Sequence, residues 1–328
     1  MSGSKLTESG NLEEFLKRAS AEIERATLEV LPTKEPYKEL YSLQQDYPLR
    51  GGKRFRSALL LLCAEWFGAS YEDALPSAVA LELFHNFALI HDDIVDDSHV
   101  RRKFLTLNAL WKNKIAVLVG DFFLSKALLI STQNKDYDLL NEVSLAVNEI
   151  SEGELFQIQK SRNFNLTEEQ YLNMISKKTA SLFACCCKVG SISSGVKKLD
   201  KINEFGSYLG IIFQIKDDLF DYSQKKIGKP TKIDLKTQKI TLPLIYSIEK
   251  SNLKDKRTIK SILKKKKLSI EEKKLVNDFI IKYNGFEYAY ERMSDYKKTA
   301  LKLLKGFPQN DSNNSLQILL DYIIERRY

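Results

Sequence analysis

The feature that most constrains this chain is its hydrophobic period. Apolar residues recur at three- and four-residue spacing almost throughout, and no segment alternates with period two between turn signals. The pattern predicts an all-α fold in which strands are absent or trivial. Helices are expected over 11–31, 51–67, 71–97, 104–132 with a break near Lys112 to Lys114, 136–160, 167–188, 197–222, 240–250, 255–264, 269–283, 285–305 and 312–327. Thr167-Glu168-Glu169-Gln170 and Ser269 with Glu272 read as capping boxes, Gly228-Lys229-Pro230 as a stop, and Asn284-Gly285 as a separator. No repeat of fixed period points to a solenoid, and no Gly/Ser- or Pro-rich stretch reads as a linker. The expectation is a single domain over residues 1–328, a large helical bundle around a central cavity, with 1–10 as a flexible tail.

Composition narrows the classes that remain. With 43% hydrophobic and 29% charged residues and no apolar run near the roughly 20 residues that span a bilayer, the sequence reads as soluble without a transmembrane segment. Its N-terminus lacks a signal-peptide core, so a cytoplasmic location is expected. Cys63 and the run Cys185, Cys186, Cys187 have neither CxxC nor zinc-ligand spacing and read as structural thiols of a reducing compartment. The net charge is +8, and residues 1–100 hold five lysines against thirty-four in 101–328. Lys254 to Arg257 and Lys264 to Lys267 have no interleaved aromatics, so they read as solvated faces rather than nucleic-acid contacts. The shift from an alanine-rich, lysine-poor half to a lysine- and isoleucine-rich one is what a mosaic joined near residue 92 would show.

Two acidic clusters carry the chemistry. His91-Asp92-Asp93-Ile94-Val95-Asp96-Asp97 ends an apolar helical pattern and is followed by Arg101-Arg102. On a helix Asp92 and Asp96 lie one turn apart with Asp93 beside them, and their mutual repulsion calls for a cation. Magnesium takes oxygen ligands and binds through one or two carboxylates plus substrate phosphates. Asp217-Asp218-Leu219-Phe220-Asp221 repeats the spacing at the end of another apolar helical pattern. Two such clusters facing each other could hold several magnesium ions around one diphosphate, drawing charge off a leaving group and fixing its position.

The ordered set of motifs resembles the trans-prenyl diphosphate synthases over nearly the whole chain. It comprises Gly51-Gly52-Lys53-Arg54-Phe55-Arg56, the two DDxxD clusters, Arg101-Arg102, Gly120-Asp121-Phe122, Glu152-Gly153-Glu154, Lys178-Thr179, Phe213-Gln214, Gly228-Lys229-Pro230 and Lys239. The resemblance implies the isoprenoid synthase fold, a homodimer formed through helices such as 115–130, and three Mg2+ per active site. It implies metal ligands Asp92, Asp93, Asp96, Asp217, Asp218 and Asp221, with Arg101 and Lys178 also serving catalysis. Isopentenyl diphosphate would be bound by Lys53, Arg56, His85 and Arg102, and the allylic diphosphate by Arg101, Lys178, Thr179, Gln214, Lys229 and Lys239. The implied reaction ionises the allylic diphosphate, adds the isopentenyl double bond to the cation, and loses a proton to the released pyrophosphate. The chain departs from the family pattern at Ser57, where a proline is usual, and at Lys103 and Lys232, where glycines are usual.

Product length is a steric matter in such enzymes. Counting back from Asp92, helical spacing places Ala88, Phe87 and Phe84 at the expected floor of the tail cavity. The resembling long-chain enzymes usually have a small residue five positions before the aspartate and short-chain ones often an aromatic, so Phe87 implies a C20 product, with C15 next. Residues 106–130 and Tyr322 to Arg327 resemble octaprenyl-type enzymes instead, which would give C35 to C40. A terpene cyclase and a non-catalytic partner subunit are the alternatives from other classes. The second DDxxD argues against the first, and the full set of aspartates against the other.

Overall fold

The computed structural model of the chain describes residues 12–31, 54–101, 104–161, 166–192, 194–196, 199–222, 240–265 and 268–326. The all-α expectation holds. The helices are α1 (Leu12–Val30), α2 (Phe55–Trp66), α3 (Tyr71–Val95), α4 (Leu107–Gln133), α5 (Tyr137–Ser161), α6 (Glu168–Ile175), α7 (Ser181–Ile192), α8 (Leu199–Phe220), α9 (Leu242–Lys250), α10 (Leu253–Leu263), α11 (Ile270–Lys282), α12 (Gly285–Leu304) and α13 (Asp311–Glu325). A π turn, Ser176–Ala180, joins α6 to α7. The described strands are a two-residue ribbon, β1 (Val100–Arg101) with β2 (Phe104–Leu105), in which Arg101 opposes Phe104.

The expected boundaries hold to within a few residues, and the exceptions have local causes. Both capping boxes form: Thr167 and Ser269 accept from the backbone N–H three residues on, while Gln170 and Glu272 accept in return. The break near Lys112 is present as a residue at φ 65°, ψ 163° inside α4. Helix α2 starts only at Phe55, because Arg54 takes a left-handed conformation with φ 42°. Helix α10 starts two residues early because Asn252, which the sequence reading passed over, accepts from Asp255 N–H at 2.9 Å. The expected stop at Gly228-Lys229-Pro230 lies outside the described residues. By length and composition alone α4 is apolar enough to cross a membrane, although Lys112, Lys114 and Asp121 interrupt its apolar run.

The contacts divide into two compact units, each made of three chain stretches. The first comprises Met1–Leu145, Cys185–Asn203 and Phe307–Ile318. Its centre is α2, in which every residue from Ser57 to Trp66 is buried. Trp66 Nε1 donates to the Pro308 carbonyl at 2.9 Å, and Asn310 Nδ2 returns a bond to the Trp66 carbonyl at 2.9 Å. All four cysteines are free and buried, and burial pushes the thiols of Cys185, Cys186 and Cys187 up, so they stay protonated and behave as small apolar groups.

The second unit comprises Ala146–Ala184, Glu204–Gly306 and Leu319–Tyr328. One close helix contact in it runs along Gly206 and Gly210 of α8. A Cβ on Gly210 would lie 2.5 Å from Ala180 Cα and 2.9 Å from its Cβ, so the π turn sits directly on the α8 backbone. We predict that Gly210→Ala will lower unfolding stability by about 1–3 kcal/mol through overpacking. Denaturant melts of both proteins measure it, and unchanged stability would contradict so close an approach.

Candidate active site

In the first unit the acidic cluster ends α3. Asp92 and Asp96 are partly exposed, whereas Asp93 is 2% exposed and held from outside its helix. Arg101 Nε donates to both its carboxylate oxygens, at 2.8 and 3.0 Å. Burial pushes the Asp93 carboxyl upward, and Arg101 opposes the shift. The ribbon that presents Arg101 is fixed in turn. Asn108 Nδ2 donates to the carbonyls of Asp93 and Ser98, and Thr106 Oγ1 donates to the Ser98 carbonyl. The turn after the cluster therefore brings an arginine back onto its middle carboxylate.

Two further contacts belong to this unit. Arg56 Nη1 lies 3.2 Å from His85 Nε2. A guanidinium only donates, so Nε2 must accept and the imidazole proton sits on Nδ1. The rings of Phe87 and His91 pack tilted at 54°, with 4.5 Å between centroids. The His91 ring presses on α4 at Gly120, where a Cβ would come within 2.6 Å of Cδ2. Gly120-Asp121-Phe122 thus has a physical reason for its glycine: it seats the histidine that backs Phe87. Phe84 is buried and Ala88 partly exposed, so both lie on the helix that carries the expected floor.

Ser57 also has an explanation. Its hydroxyl donates to Glu82 Oε2 at 2.7 Å, and both residues are buried. A proline there would leave that carboxylate without this donor, so the departure from the family pattern is coupled to Glu82.

In the second unit, Asp217, Asp218 and Asp221 end α8. Asp218 is 6% exposed and receives a bond on each oxygen: Gln214 Nε2 donates to Oδ1 at 2.8 Å, and Tyr171 OH donates to Oδ2 at 2.7 Å. Tyr171 is fully buried, and burial first and the Asp218 charge second hold its phenol far above the ordinary range. Thr179 Oγ1 donates to Gln214 Oε1 at 2.7 Å, so the donors of this chain all point toward Asp218. The π turn makes this possible, since it carries Thr179 over the glycine seam of α8; such turns are common at functional sites. On the same turn Lys178 forms an ion pair with Glu154.

Asp217 pairs with Arg326, whose Nη2 donates to Oδ1 at 2.5 Å and to the Phe213 carbonyl at 3.1 Å, with the guanidinium 4.0 Å above the Phe213 ring. Tyr171 was not visible in the motifs, and the partners of Glu154, Arg326 and Gly120 could not be read from them, because a buried tyrosine and a terminal arginine look like core and tail in one dimension. Asn/Gln orientations apart, nothing in their spacing would have found them. Lys53, Arg102, Lys229, Lys239, Lys103 and Lys232 lie outside the described residues.

Among the described residues no three or more His, Cys, Asp or Glu converge as a ready-made metal site. The middle aspartates are turned to protein donors, Asp217 is held by Arg326, and Asp92, Asp96 and Asp221 stand beside them at the two helix ends. One or two carboxylates completed by water and substrate phosphate is the donor set that suits magnesium, so the residues fit such an ion.

An all-helical chain with two DDxxD helix ends belongs to the prenyltransferases that build linear isoprenoid diphosphates. The polyprenyl synthetase family pattern matches residues 38–280, and the chain belongs to that family. It is 32% identical to the geranylgeranyl diphosphate synthase of Methanosarcina mazei over 325 residues, covering 95% of this chain and 97% of that one. Among solved structures it resembles a decaprenyl diphosphate synthase from Rhodobacter capsulatus with TM-score 0.87 and 30% identity, covering 96% and 98%. It also resembles a polyprenyl synthase from Caulobacter crescentus complexed with calcium and isoprenyl diphosphate, with TM-score 0.87 and 28% identity, covering 98% and 99%. The protein is a trans-prenyl diphosphate synthase.

We predict that Tyr171→Phe, which strips one donor from a buried carboxylate, will cost about 1–3 kcal/mol of stability. The cost should shrink markedly in an Asp218→Asn background, as a double-mutant cycle by thermal or chemical melting would report. Additive effects would contradict the direct bond. We also predict that Ser57→Pro will destabilise the protein by about 1–3 kcal/mol unless Glu82 is replaced as well, which the same melts would test.

Proposed function

We propose that the enzyme extends an allylic diphosphate with isopentenyl diphosphate to a C20 product, with C15 next, and that magnesium is held by Asp92 and Asp96 on one unit and by Asp217 and Asp221 on the other. The observation that carries the ligand assignment is that Asp93 and Asp218 have both oxygens engaged by protein donors. The ligand set implied by family resemblance thus narrows from six aspartates to four, with Asp93 and Asp218 as positioning residues. Three ions per site remains part of this proposal.

Bound magnesium would supply electrophilic assistance to the departing diphosphate. The side chains do the rest. Arg56 and His85, with Lys53 and Arg102, bind the diphosphate of isopentenyl diphosphate, an anion that cations and N–H donors can hold by themselves. Arg101, Lys178, Thr179 and Gln214, with Lys229 and Lys239, orient the allylic diphosphate. Arg101 and Lys178 are already steadied by Asp93 and Glu154, so little ordering remains to be done when substrate arrives. Phe87, backed by His91, ends the tail cavity, with Phe84 and Ala88 on the same helix.

The active form is a homodimer in this reading. Leu118 and Leu129 of α4 are 62% and 49% exposed, an apolar face that a second copy would cover.

Chromatography of dephosphorylated products from isopentenyl diphosphate plus dimethylallyl, geranyl or farnesyl diphosphate tests the length assignment. The wild type should stop at C15 or C20, and Phe87→Ala should lengthen the product by one or more five-carbon units. A wild-type product of C35 to C40 would refute the Phe87 floor. Chelation with EDTA should abolish turnover and added magnesium restore it; turnover that survives chelation would overturn the metal assignment.

A further inference from the structure

The positive charge of this protein is concentrated in one place. Residues 250–282 contain twelve Lys or Arg against four Asp or Glu, an excess of eight equal to the net charge of the whole chain, so the remainder is balanced at 39 against 39. This stretch is the α10–α11 hairpin of the second unit, far in sequence from both acidic clusters and unused by the reaction.

The hairpin has an inner and an outer side. Ile259, Ile262 and Leu263 of α10 share a buried cluster with Val276, Phe279 and Ile280 of α11. The helices run antiparallel, since Asp255 at the start of α10 meets Lys282 at the end of α11 at 2.6 Å, and Lys265 beyond α10 meets Glu272 in the first turn of α11. On the side of α10 opposite the cluster, the exposed positions include Lys254, Arg257 and Lys264, with Leu253 at one end and no carboxylate. The outer side of α11 is different. It mixes Glu271, Lys274, Asp278 and Lys282 with Ile270, Leu275 and Ile281, which are 70%, 53% and 52% exposed.

Cations on one helix beside protruding aliphatic side chains on the next match the two attractions of a membrane surface: anionic headgroups and the apolar boundary just beneath them. They do not match a nucleic acid, for which basic residues would be interleaved with exposed aromatic rings on which bases stack. We propose that the outer surface of α10 and α11 docks the enzyme on a bilayer containing anionic lipid. The cations of α10 lie against the headgroups, and Leu253, Ile270, Leu275 and Ile281 enter the interface. The surface is independent of the prenyltransferase reading, although a product with a long apolar tail gives such docking an evident use.

Co-sedimentation of the full chain with phosphatidylcholine vesicles, with and without phosphatidylglycerol, tests this. Binding should require the anionic lipid and fall with rising salt. The exposed triple variant Lys254→Gln, Arg257→Gln, Lys264→Gln should weaken partitioning at least about tenfold, each cation contributing to attraction by the surface. Turnover of soluble short-chain substrates by that variant should stay at the wild-type rate, which separates loss of docking from loss of fold. The double variant Ile270→Ser, Leu275→Ser should weaken binding with less effect on its salt dependence. No binding to anionic vesicles, undiminished binding by the triple variant, or preferential capture of RNA would each overturn the proposal.

Discussion

The structure depends on two buried carboxylates that the protein satisfies with its own donors. Asp93 and Asp218 occupy the same position in the two DDxxD motifs, both are nearly inaccessible, and both have their two oxygens bonded. A buried carboxylate without partners would cost several kcal/mol or lose its charge. The solutions differ in kind. Asp93 takes a cation from the turn that follows its helix, whereas Asp218 takes neutral donors, Tyr171 from α6 and Gln214 from its own helix. In each case protein donors hold the middle aspartate at the end of its helix.

Close backbone packing is the second constraint, and it explains why certain motifs contain glycine. Gly210 lets the π turn approach α8, which is how the Thr179 hydroxyl reaches Gln214. Gly120 makes room for His91, whose ring packs against Phe87. The product-length floor proposed above would therefore involve three residues from two helices rather than one aromatic side chain.

Much of this was legible in the sequence. The 3.6-residue period located the helices, the capping boxes at Thr167 and Ser269 fixed two of their starts, and the DDxxD spacing named both acidic helix ends. Other features were not legible, because they depend on contacts between residues remote in sequence. Tyr171 and Asp218 are 47 positions apart, and Arg326 is 109 from Asp217. The π turn at Ser176–Ala180 leaves no period of its own in five residues. Ser57 read as a departure from the family pattern until its bond to Glu82 gave it a reason.

The central claim is that the outer aspartates of each motif bind metal and the middle ones hold them in place. Manganese titration followed by electron paramagnetic resonance, with inorganic pyrophosphate present, tests this most directly on Asp92→Asn, Asp93→Asn, Asp217→Asn and Asp218→Asn, each paired with a thermal melt. The account predicts that the Asp92 and Asp217 variants lose bound manganese, the Asp92 variant at an unchanged melting temperature and the Asp217 variant at a lower one because it also loses its ion pair with Arg326. It predicts that the Asp93 and Asp218 variants melt lower while retaining most of their sites. Loss of manganese from the Asp93 and Asp218 variants as complete as from the outer ones, with melting unchanged, would contradict it.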